Sequence, residues 1–290
     1  MPTMTSDSVE SKSRLALFVP LVLVSLSFAV LYRDVIAKLV RDWSIDENYS
    51  HGFLIVPLAL FFVWERRAKL AAAVPKGSLA GIIIVALSIA VLTAGVLGSE
   101  LFLTRVSMLG AIAGIVLFLY GYQYLRILIF PILFLLLAIP IPAIIFNQIA
   151  FPLQLLASRF AEAALNLIGI PVLRDGNVIQ LANTSLEVAE ACSGIRSLVS
   201  LLTLGIVYGY FTDARIPMRV ALGLATVPVA ILANGFRVAG TGIAAHYYGQ
   251  EAAQGFFHTF SGWLVFIAAF VMLFILHRVF ILISPARHQR

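Results

Sequence analysis

The sequence contains few charged residues and only one cysteine. Asp, Glu, Lys and Arg make up 12% of its 290 residues, about half of the share found in soluble domains, whereas 61% of the residues are hydrophobic. Such a composition excludes a soluble globular protein and indicates a membrane protein. A single cysteine, Cys192, excludes an intrachain disulfide and a cysteine-based metal site. Cys192 must therefore act as a thiol.

Nucleic acid and metal ions are not expected partners. Lys and Arg exceed Asp and Glu by 20 to 14, a formal charge of +6. In so apolar a chain this excess indicates cytoplasmic loops rather than a surface that binds nucleic acid. The five histidines show no HExxH or other paired spacing, and no Gly-rich phosphate loop follows a strand. No metal or cofactor is therefore expected.

Hydropathy predicts an all-α polytopic membrane protein with about eight transmembrane helices. Five apolar runs approach or reach the roughly 20 residues that cross a bilayer, and three shorter uncharged runs are bounded by polar or charged residues. The long runs are Leu15–Tyr32, Leu79–Leu97, Val106–Tyr120, Leu125–Ile141 and Phe256–Leu276, and the short ones are Phe53–Trp64, Leu198–Phe211 and Val220–Ala233. The first run has no small-residue cleavage site after it, so it is expected to be retained rather than removed as a signal peptide.

If the chain has eight spans and both of its ends lie in the cytoplasm, 12 of its 20 Lys and Arg residues lie on the inner side. This distribution agrees with the positive-inside rule. The predicted organisation is a cytoplasmic segment 1–14, one membrane domain 15–280 with an outer loop 142–197, and a cytoplasmic tail 281–290.

The outer loop is predicted to contain an interfacial helix and a small β-hairpin. Gln154, Ser158, Glu162 and Asn166 recur every four residues and share one helical face, which is typical of a helix lying in the membrane interface. The pairs Asp175-Gly176 and Asn183-Thr184 are turn formers, and apolar residues alternate between and after them. The hairpin then leads towards Cys192.

Cys192 lies in the sequence Glu190-Ala191-Cys192-Ser193-Gly194-Ile195-Arg196-Ser197, just before an apolar run. A cysteine in isolation is usually a small buried hydrophobe. At the outer start of a helix, however, the unpaired backbone N–H groups favour the thiolate. Arg196 lies one helical turn later and adds positive potential.

Arg237 and His258 are predicted to lie on the same outer face as Cys192. Arg237 follows a span in Asn234-Gly235-Phe236-Arg237; it is either an interface anchor or a guanidinium for a carboxylate or an oxyanion, and Asn234 could orient it. His258 opens the last span and could carry a proton. His51 and His246 are outer-face alternatives, whereas His277 and His288 are expected inside.

These segments resemble the exosortase/archaeosortase family of prokaryotic membrane enzymes. The similarity extends from Asn48-Tyr49-Ser50-His51-Gly52 through the Cys-Ser-Gly-x-Arg-Ser, Asn-x-x-Arg and His-x-x-x-Gly segments. The resemblance implies catalytic roles for Cys192, Arg237 and His258, with Glu190, Ser193, Gly194, Arg196 and Asn234 in support and His51 as the alternative base.

The resemblance further implies a cysteine protease or transpeptidase in the inner (cytoplasmic) membrane, with its active site outside. Its partners would be exported proteins with a C-terminal Pro-Glu-Pro-type signal, a membrane helix and a basic tail, in systems that often accompany exopolysaccharide loci. Some family members have an additional soluble domain, which here would be a separate accessory protein. Two other functions stay open: a transporter or flippase of a polysaccharide precursor, with Arg196 and Arg237 holding a phosphate, and a noncatalytic assembly subunit.

Overall fold

A computed structural model describes the backbone of residues 6–182, 184–188, 195–249 and 256–283. Side chains are described from residue 22 onwards in these ranges, except at 195–197 and 256–261. The chain forms two compact units, residues 1–142 and 143–290, and each is described by itself. The outer-loop residues Glu190, Cys192, Ser193 and Gly194 lie outside the described ranges.

The first unit is helical. Its elements are α1 (Ser6–Ile45), α2 (Gly52–Glu65), α3 (Arg67–Ala72), α4 (Ala80–Leu97), α5 (Leu101–Leu119), α6 (Tyr122–Phe134) and a 3-10 turn (Leu135–Ala138). Helices α4 and α5 form a tight antiparallel pair. A Cβ on Gly114 would lie 2.8 Å from Cγ2 of Val85, and one on Gly110 would lie 2.6 Å from Oγ of Ser88. The small residues therefore let the two helices approach closely.

Helix α1 packs on α5 through polar as well as apolar contacts. The hydroxyls of Tyr32 and Ser107 are 3.2 Å apart. Arg105, 2% exposed, donates a hydrogen bond from Nη2 to the carboxylate of Asp42. A buried guanidinium is costly unless it is paired, so Asp42 is the charge that allows Arg105 to be buried.

In its described residues, the second unit combines four helices with a small sheet. Its elements are α7 (Ala143–Leu167), β1 (Leu173–Asp175), β2 (Val178–Gln180), β3 (Ser185–Glu187), α8 (Ile195–Thr212), α9 (Ile216–Tyr248) and α10 (Phe256–Ile283). The strands form an antiparallel meander in the order β1-β2-β3, with Ile179 opposite both Arg174 and Leu186. The predicted hairpin is thus part of a three-stranded sheet.

The sheet packs on the polar stripe of α7. Gln154 and Ser158 are buried, and Glu162 accepts a hydrogen bond of 2.8 Å from Nε of Arg174. The predicted stripe therefore exists, but its first three residues contact the sheet or are buried instead of facing water. Below them, Ala157, Ala161 and Leu165 form a core with Ile179, Val188 and residues of α9. A location of α7 in the membrane interface stays a prediction.

In the part of the chain that the structure describes, four helices are long and apolar enough to cross a membrane: Ala80–Leu97, Leu101–Leu119, Ile216–Tyr248 and Gly262–Ile283. A fifth span results if Tyr122–Ala138 and Ala143–Leu167 are counted as one broken span. Two shorter apolar helices, Gly52–Glu65 and Leu198–Thr212, match predicted short spans. The chain is a helical multi-pass membrane protein, and the count of about eight spans is not confirmed within the described residues.

Candidate active site

Three packed helices place Arg237 of α9 near the described start of α8 and the first turns of α10. Leu198 and Leu201 of α8 pack with Ala233 of α9 and with Val265 and Ala269 of α10. A second cluster joins Tyr208, Met218, Leu222, Leu273 and Phe280. Early residues of α8 and α10 contact the middle of α9, whereas later residues of α8 and α10 contact its start, so α9 is antiparallel to both neighbours. The start of α8, the Arg237 turn of α9 and the start of α10 therefore lie at the same end of this bundle.

The Asn234-Gly235-Phe236-Arg237 segment lies inside α9, not after a span. The predicted span ended at Ala233, whereas the helix continues to Tyr248. A Cβ on Gly235 would lie 2.7 Å from Cδ1 of Phe160, so glycine is required where α9 crosses α7. Phe236 then packs edge-on against Phe160, with ring centroids 4.9 Å apart. Asn234 is 3% exposed. The glycine therefore serves helix packing and does not end the helix.

The guanidinium of Arg237 lies beside α10. Its Nη2 atom is 3.8 Å from the position that a Cβ on Gly262 would occupy. Residue 258 belongs to the first turn of α10 and precedes Gly262 by four residues, which places it on the same side of the helix, one turn nearer the end. The side chain of His258 lies outside the described part. The fold nevertheless brings the Arg237 side chain to the His258 segment.

The nucleophile candidate is not described, but the chain on both sides of it is. The described part of α8 begins at Ile195, three residues after Cys192, and Arg196 belongs to its first turn. Val188, four residues before Cys192, is buried in the core formed with α7 and α9. The roles of Glu190, Cys192, Ser193, Gly194 and Arg196 stay predictions.

His51, the alternative base, is engaged with main-chain carbonyls of the first unit. Its Nε2 lies 3.0 Å from the carbonyl oxygen of Leu137. Burial lowers the pKa of His51, while the carbonyls of Leu137 and Asn48 oppose that shift by favouring the protonated ring. A ring whose nitrogens meet carbonyl acceptors is poorly placed to receive a proton from a substrate. His51 therefore fits a structural role better than that of a general base.

Two aromatic side chains near His51 bind the same main-chain segment. Trp43 donates from Nε1 to the carbonyl of Ala138 at 2.7 Å, and the N–H of Ile141 donates to the hydroxyl of Tyr49 at 3.2 Å. A Cβ on Gly52 would lie 2.3 Å from Nε1 of Trp43, so the indole packs directly on this glycine. Trp43, Tyr49 and His51 together form a clamp on residues 137–141, which we call the 137–141 clamp.

His246, the other outer-face alternative, is in the last turn of α9. It follows Arg237 by nine residues, or about 13 Å along the helix at 1.5 Å per residue. Its ring packs edge-on against that of Tyr247, with centroids 4.9 Å apart. The structure therefore separates His246 from the Arg237 turn.

A polar cluster that the sequence did not predict lies at the opposite end of the same bundle. Nδ1 of His277, a residue only 3% exposed, is 2.8 Å from the hydroxyl of Tyr208, and its Nε2 is 3.9 Å from Oδ2 of Asp213. Arg215 donates to both carboxylate oxygens of Asp213, at 3.0 and 2.7 Å. These hydrogen bonds lower the pKa of Asp213 to about 2 despite its burial.

This second cluster is distant from Arg237. Gly262 and His277 are 15 residues apart on α10, or about 22 Å along the helix. The sequence predicts His277 on the inner side and assigns it no partner, because His277 is far in sequence from both Tyr208 and Asp213. The cluster ties α8 and α10 to the loop before α9. Within the described residues, no three His, Cys, Asp or Glu side chains are arranged to hold a metal ion.

The described helices of the second unit form an apolar bundle in which the Arg237 side chain lies beside the early turns of α10, as expected for a helical membrane protein. The profile of the transmembrane exosortase family matches residues 43–275, and the chain belongs to this family of transmembrane sorting transpeptidases. The resemblance seen in the sequence is confirmed, and the family implies exported protein substrates. No curated protein and no solved structure matches the chain.

Proposed function

We propose that the protein is a membrane-embedded cysteine protease or transpeptidase, with Cys192 as nucleophile, His258 as proton carrier and Arg237 as oxyanion or carboxylate ligand. The observation that carries this proposal is the approach of the Arg237 guanidinium to Gly262, one turn after residue 258 of α10. Arg237 and residue 258 are distant in sequence, yet they belong to neighbouring turns of packed helices. An interface anchor would not require this proximity.

The chemistry proceeds in two acyl-transfer steps. The Cys192 thiolate attacks the scissile carbonyl carbon, and the tetrahedral oxyanion receives hydrogen bonds from Arg237. When the intermediate collapses, the C–N bond breaks, the amine leaves with a proton from His258, and a thioester remains. Water or an amine acceptor then attacks the thioester and restores the thiol.

The proposed substrates are exported proteins whose C-terminal signal consists of a Pro-Glu-Pro-type motif, an apolar helix and a basic tail. Cleavage occurs at the outer face of the inner membrane, in a system linked to exopolysaccharide export. The exposed apolar surface of α10, including Trp263, Leu264 and Ile267, lies in the turns that follow His258. A membrane helix of a substrate could therefore approach the site laterally, without leaving the bilayer.

Replacement of Cys192 by alanine tests the proposal. The substitution changes little volume, so Cys192→Ala is expected to accumulate normally in the membrane while a co-expressed reporter with the tripartite signal stays uncleaved. His258→Gln is expected to reduce processing by about a hundredfold or more, as loss of an acid-base group does, and His246→Gln is its matched control. Processing is measured as the ratio of cleaved to uncleaved reporter at equal enzyme abundance.

Normal processing by Cys192→Ala would refute a covalent mechanism and favour a carrier or an assembly subunit. If His246→Gln abolishes processing and His258→Gln does not, the proton carrier is misassigned. If a reporter with the Pro-Glu-Pro-type motif stays uncleaved by the wild type while another exported protein is cleaved at the same membrane, the substrate class is wrong.

A further inference from the structure

A groove of about 450 Å³ lies between the start of α9 and the end of α10, at the end of the bundle that is opposite to the Arg237 turn. Of its described lining residues, five are apolar and one is an arginine: Arg215, Pro217, Met218, Ala221, Phe280 and Ile283. Met218 is buried and packs with Phe280, so it forms the floor of the groove. Ile283 is exposed and forms part of the rim.

The groove lies where two candidate membrane spans meet the polar surface of the bilayer. The first of them begins at Ile216, directly after Arg215, and the other ends at Ile283. The ends of membrane spans are at the level of the lipid headgroups. The neighbouring residues Ile216, Val220 and Leu282 are apolar and exposed, which is typical of a surface that contacts lipid. The groove therefore extends from the headgroup level towards the apolar interior of the membrane.

Arg215 presents a positive charge at this groove. Its guanidinium donates to both carboxylate oxygens of Asp213, and these bonds fix its orientation. The side chain of Asp213 is 9% exposed and that of Arg215 is 32% exposed, so a ligand reaches the cation of this pair more readily than the anion. Arg215 is also the N-cap of α9, and helix N-termini and arginines both favour phosphate groups. Arg219 and Arg278 belong to the same end of the bundle and add to its positive potential.

We propose that this groove binds an anionic phospholipid, with the phosphate at Arg215 and an acyl chain along Met218 and Ala221. A phospholipid joins an anionic group to an apolar chain, and the groove joins a cation to an apolar surface. A zwitterionic phospholipid has the same chains but no net charge, so the groove is expected to select the anionic lipid. The lipid ties the start of α9 to the end of α10 and takes no part in peptide cleavage.

Lipid binding to the full-length protein in micelles of an uncharged detergent tests the proposal. The probes are dioleoylphosphatidylglycerol, dioleoylphosphatidylcholine and inorganic phosphate. Native mass spectrometry counts the lipid molecules retained, and thermal unfolding measures stabilisation. Phosphatidylglycerol is expected to bind about tenfold more tightly than phosphatidylcholine, the effect of one charge-assisted hydrogen bond. It should raise the Tm, as a ligand of the folded state does, and inorganic phosphate should not.

Two pairs of variants separate the charge from the apolar groove. Arg215→Gln is expected to reduce the affinity for phosphatidylglycerol by about tenfold or more. Asp213→Asn breaks the same ion pair but keeps the arginine, so it should bind this lipid at least as well as the wild type. Ala221→Phe fills the groove and should remove one bound phosphatidylglycerol. Val220→Phe adds the same ring to an exposed neighbour outside the described lining and should bind like the wild type.

Equal affinity for phosphatidylcholine, or equal stabilisation by inorganic phosphate, would overturn the proposal. Equal losses in Arg215→Gln and Asp213→Asn would also overturn it, because they would show that the ion pair serves only to hold the loop. If these two variants do not fold, the comparison of Ala221→Phe with Val220→Phe decides, and unchanged lipid binding in Ala221→Phe would refute the proposal. A dimer that only Ala221→Phe dissociates would assign the groove to a second copy of the chain instead. None of these measurements depends on cleavage of a reporter.

Discussion

At the scale of single residues, Arg237 is the side chain whose geometry is most specific. It is half-buried on α9, with its guanidinium against the backbone of α10 at Gly262. A membrane anchor would need only a long cationic side chain directed towards the headgroups. A ligand for an oxyanion or a carboxylate needs the planar set of donors that arginine has and lysine lacks.

Arg237→Lys is therefore expected to reduce reporter processing almost as much as Arg237→Ala, by about tenfold to a hundredfold, the cost of losing a charge-assisted hydrogen bond. Arg159→Lys, an exposed arginine on α7, is the control and should process normally. The measurement is the initial cleavage rate at matched enzyme abundance. Full activity of Arg237→Lys would show that only a positive charge is needed at this position.

At the scale of secondary-structure elements, the Asn48-Tyr49-Ser50-His51-Gly52 segment acts as a connector. Its side chains, with Trp43 of α1, hold residues 137–141 through three hydrogen bonds. The two carbonyls belong to the last residues of the 3-10 turn, and the N–H of Ile141 follows it, so none of them lies within a regular α-helix. In a membrane protein, such irregular main chain must be bonded by other groups, and the 137–141 clamp supplies them.

His51→Phe is expected to destabilise the protein by about 1 kcal/mol, the net contribution of one hydrogen bond, without abolishing cleavage per folded molecule. The pKa of His51 is lowered in the folded state. The contribution of His51 to the free energy of unfolding is therefore fully present above pH 6.5, the ordinary histidine value, and is lost as pH falls through the folded pKa. Thermal unfolding from pH 8 to 5 should show this loss in the wild type and a smaller loss in His51→Phe. An equal pH dependence in both would exclude His51 as its source, and His246→Phe is the control.

The sequence predicted which helices and turns form better than it predicted where the helices end and which residues they contact. Helices α4 and α5, the turn at Asp175-Gly176 and the polar stripe of α7 follow from local periodicity and turn chemistry. The continuation of α9 past Ala233 could not be predicted in this way. Asn-Gly is normally a turn former, and the contact between Gly235 and Phe160 joins residues that are distant in sequence. The Tyr208, Asp213 and His277 cluster was missed for the same reason. The candidate site residues could be selected from the sequence. Whether their side chains lie close together depends on how the helices pack.

At the scale of the whole molecule, the central expectation is that Cys192, Arg237 and His258 share the outer membrane face. The antiparallel packing of α8, α9 and α10 places the start of α8, the Arg237 turn and the start of α10 towards one end of their bundle. From the distribution of Lys and Arg along the sequence we expect that end to be the outer one. The Asp213–Arg215 loop is at the other end.

A membrane-impermeant maleimide added to intact cells is expected to label Cys192, the sole thiol. The control is Val74→Cys in a Cys192→Ala background, because Val74 is 70% exposed in a segment expected inside, and it should be labelled only after the membrane is opened. Labelling is read as a mass shift of the purified chain. Modification of Cys192 only in opened cells would reverse the predicted orientation.

The ion pair between Asp42 and the buried Arg105 also bears on how the chain is made. An arginine within or at the edge of a span costs several kcal/mol in lipid unless an acid neutralises it. Because α1 is synthesised before α5, Asp42 has already been translated when Arg105 leaves the ribosome. The first helix can therefore supply the acid that neutralises Arg105 when α5 packs against it.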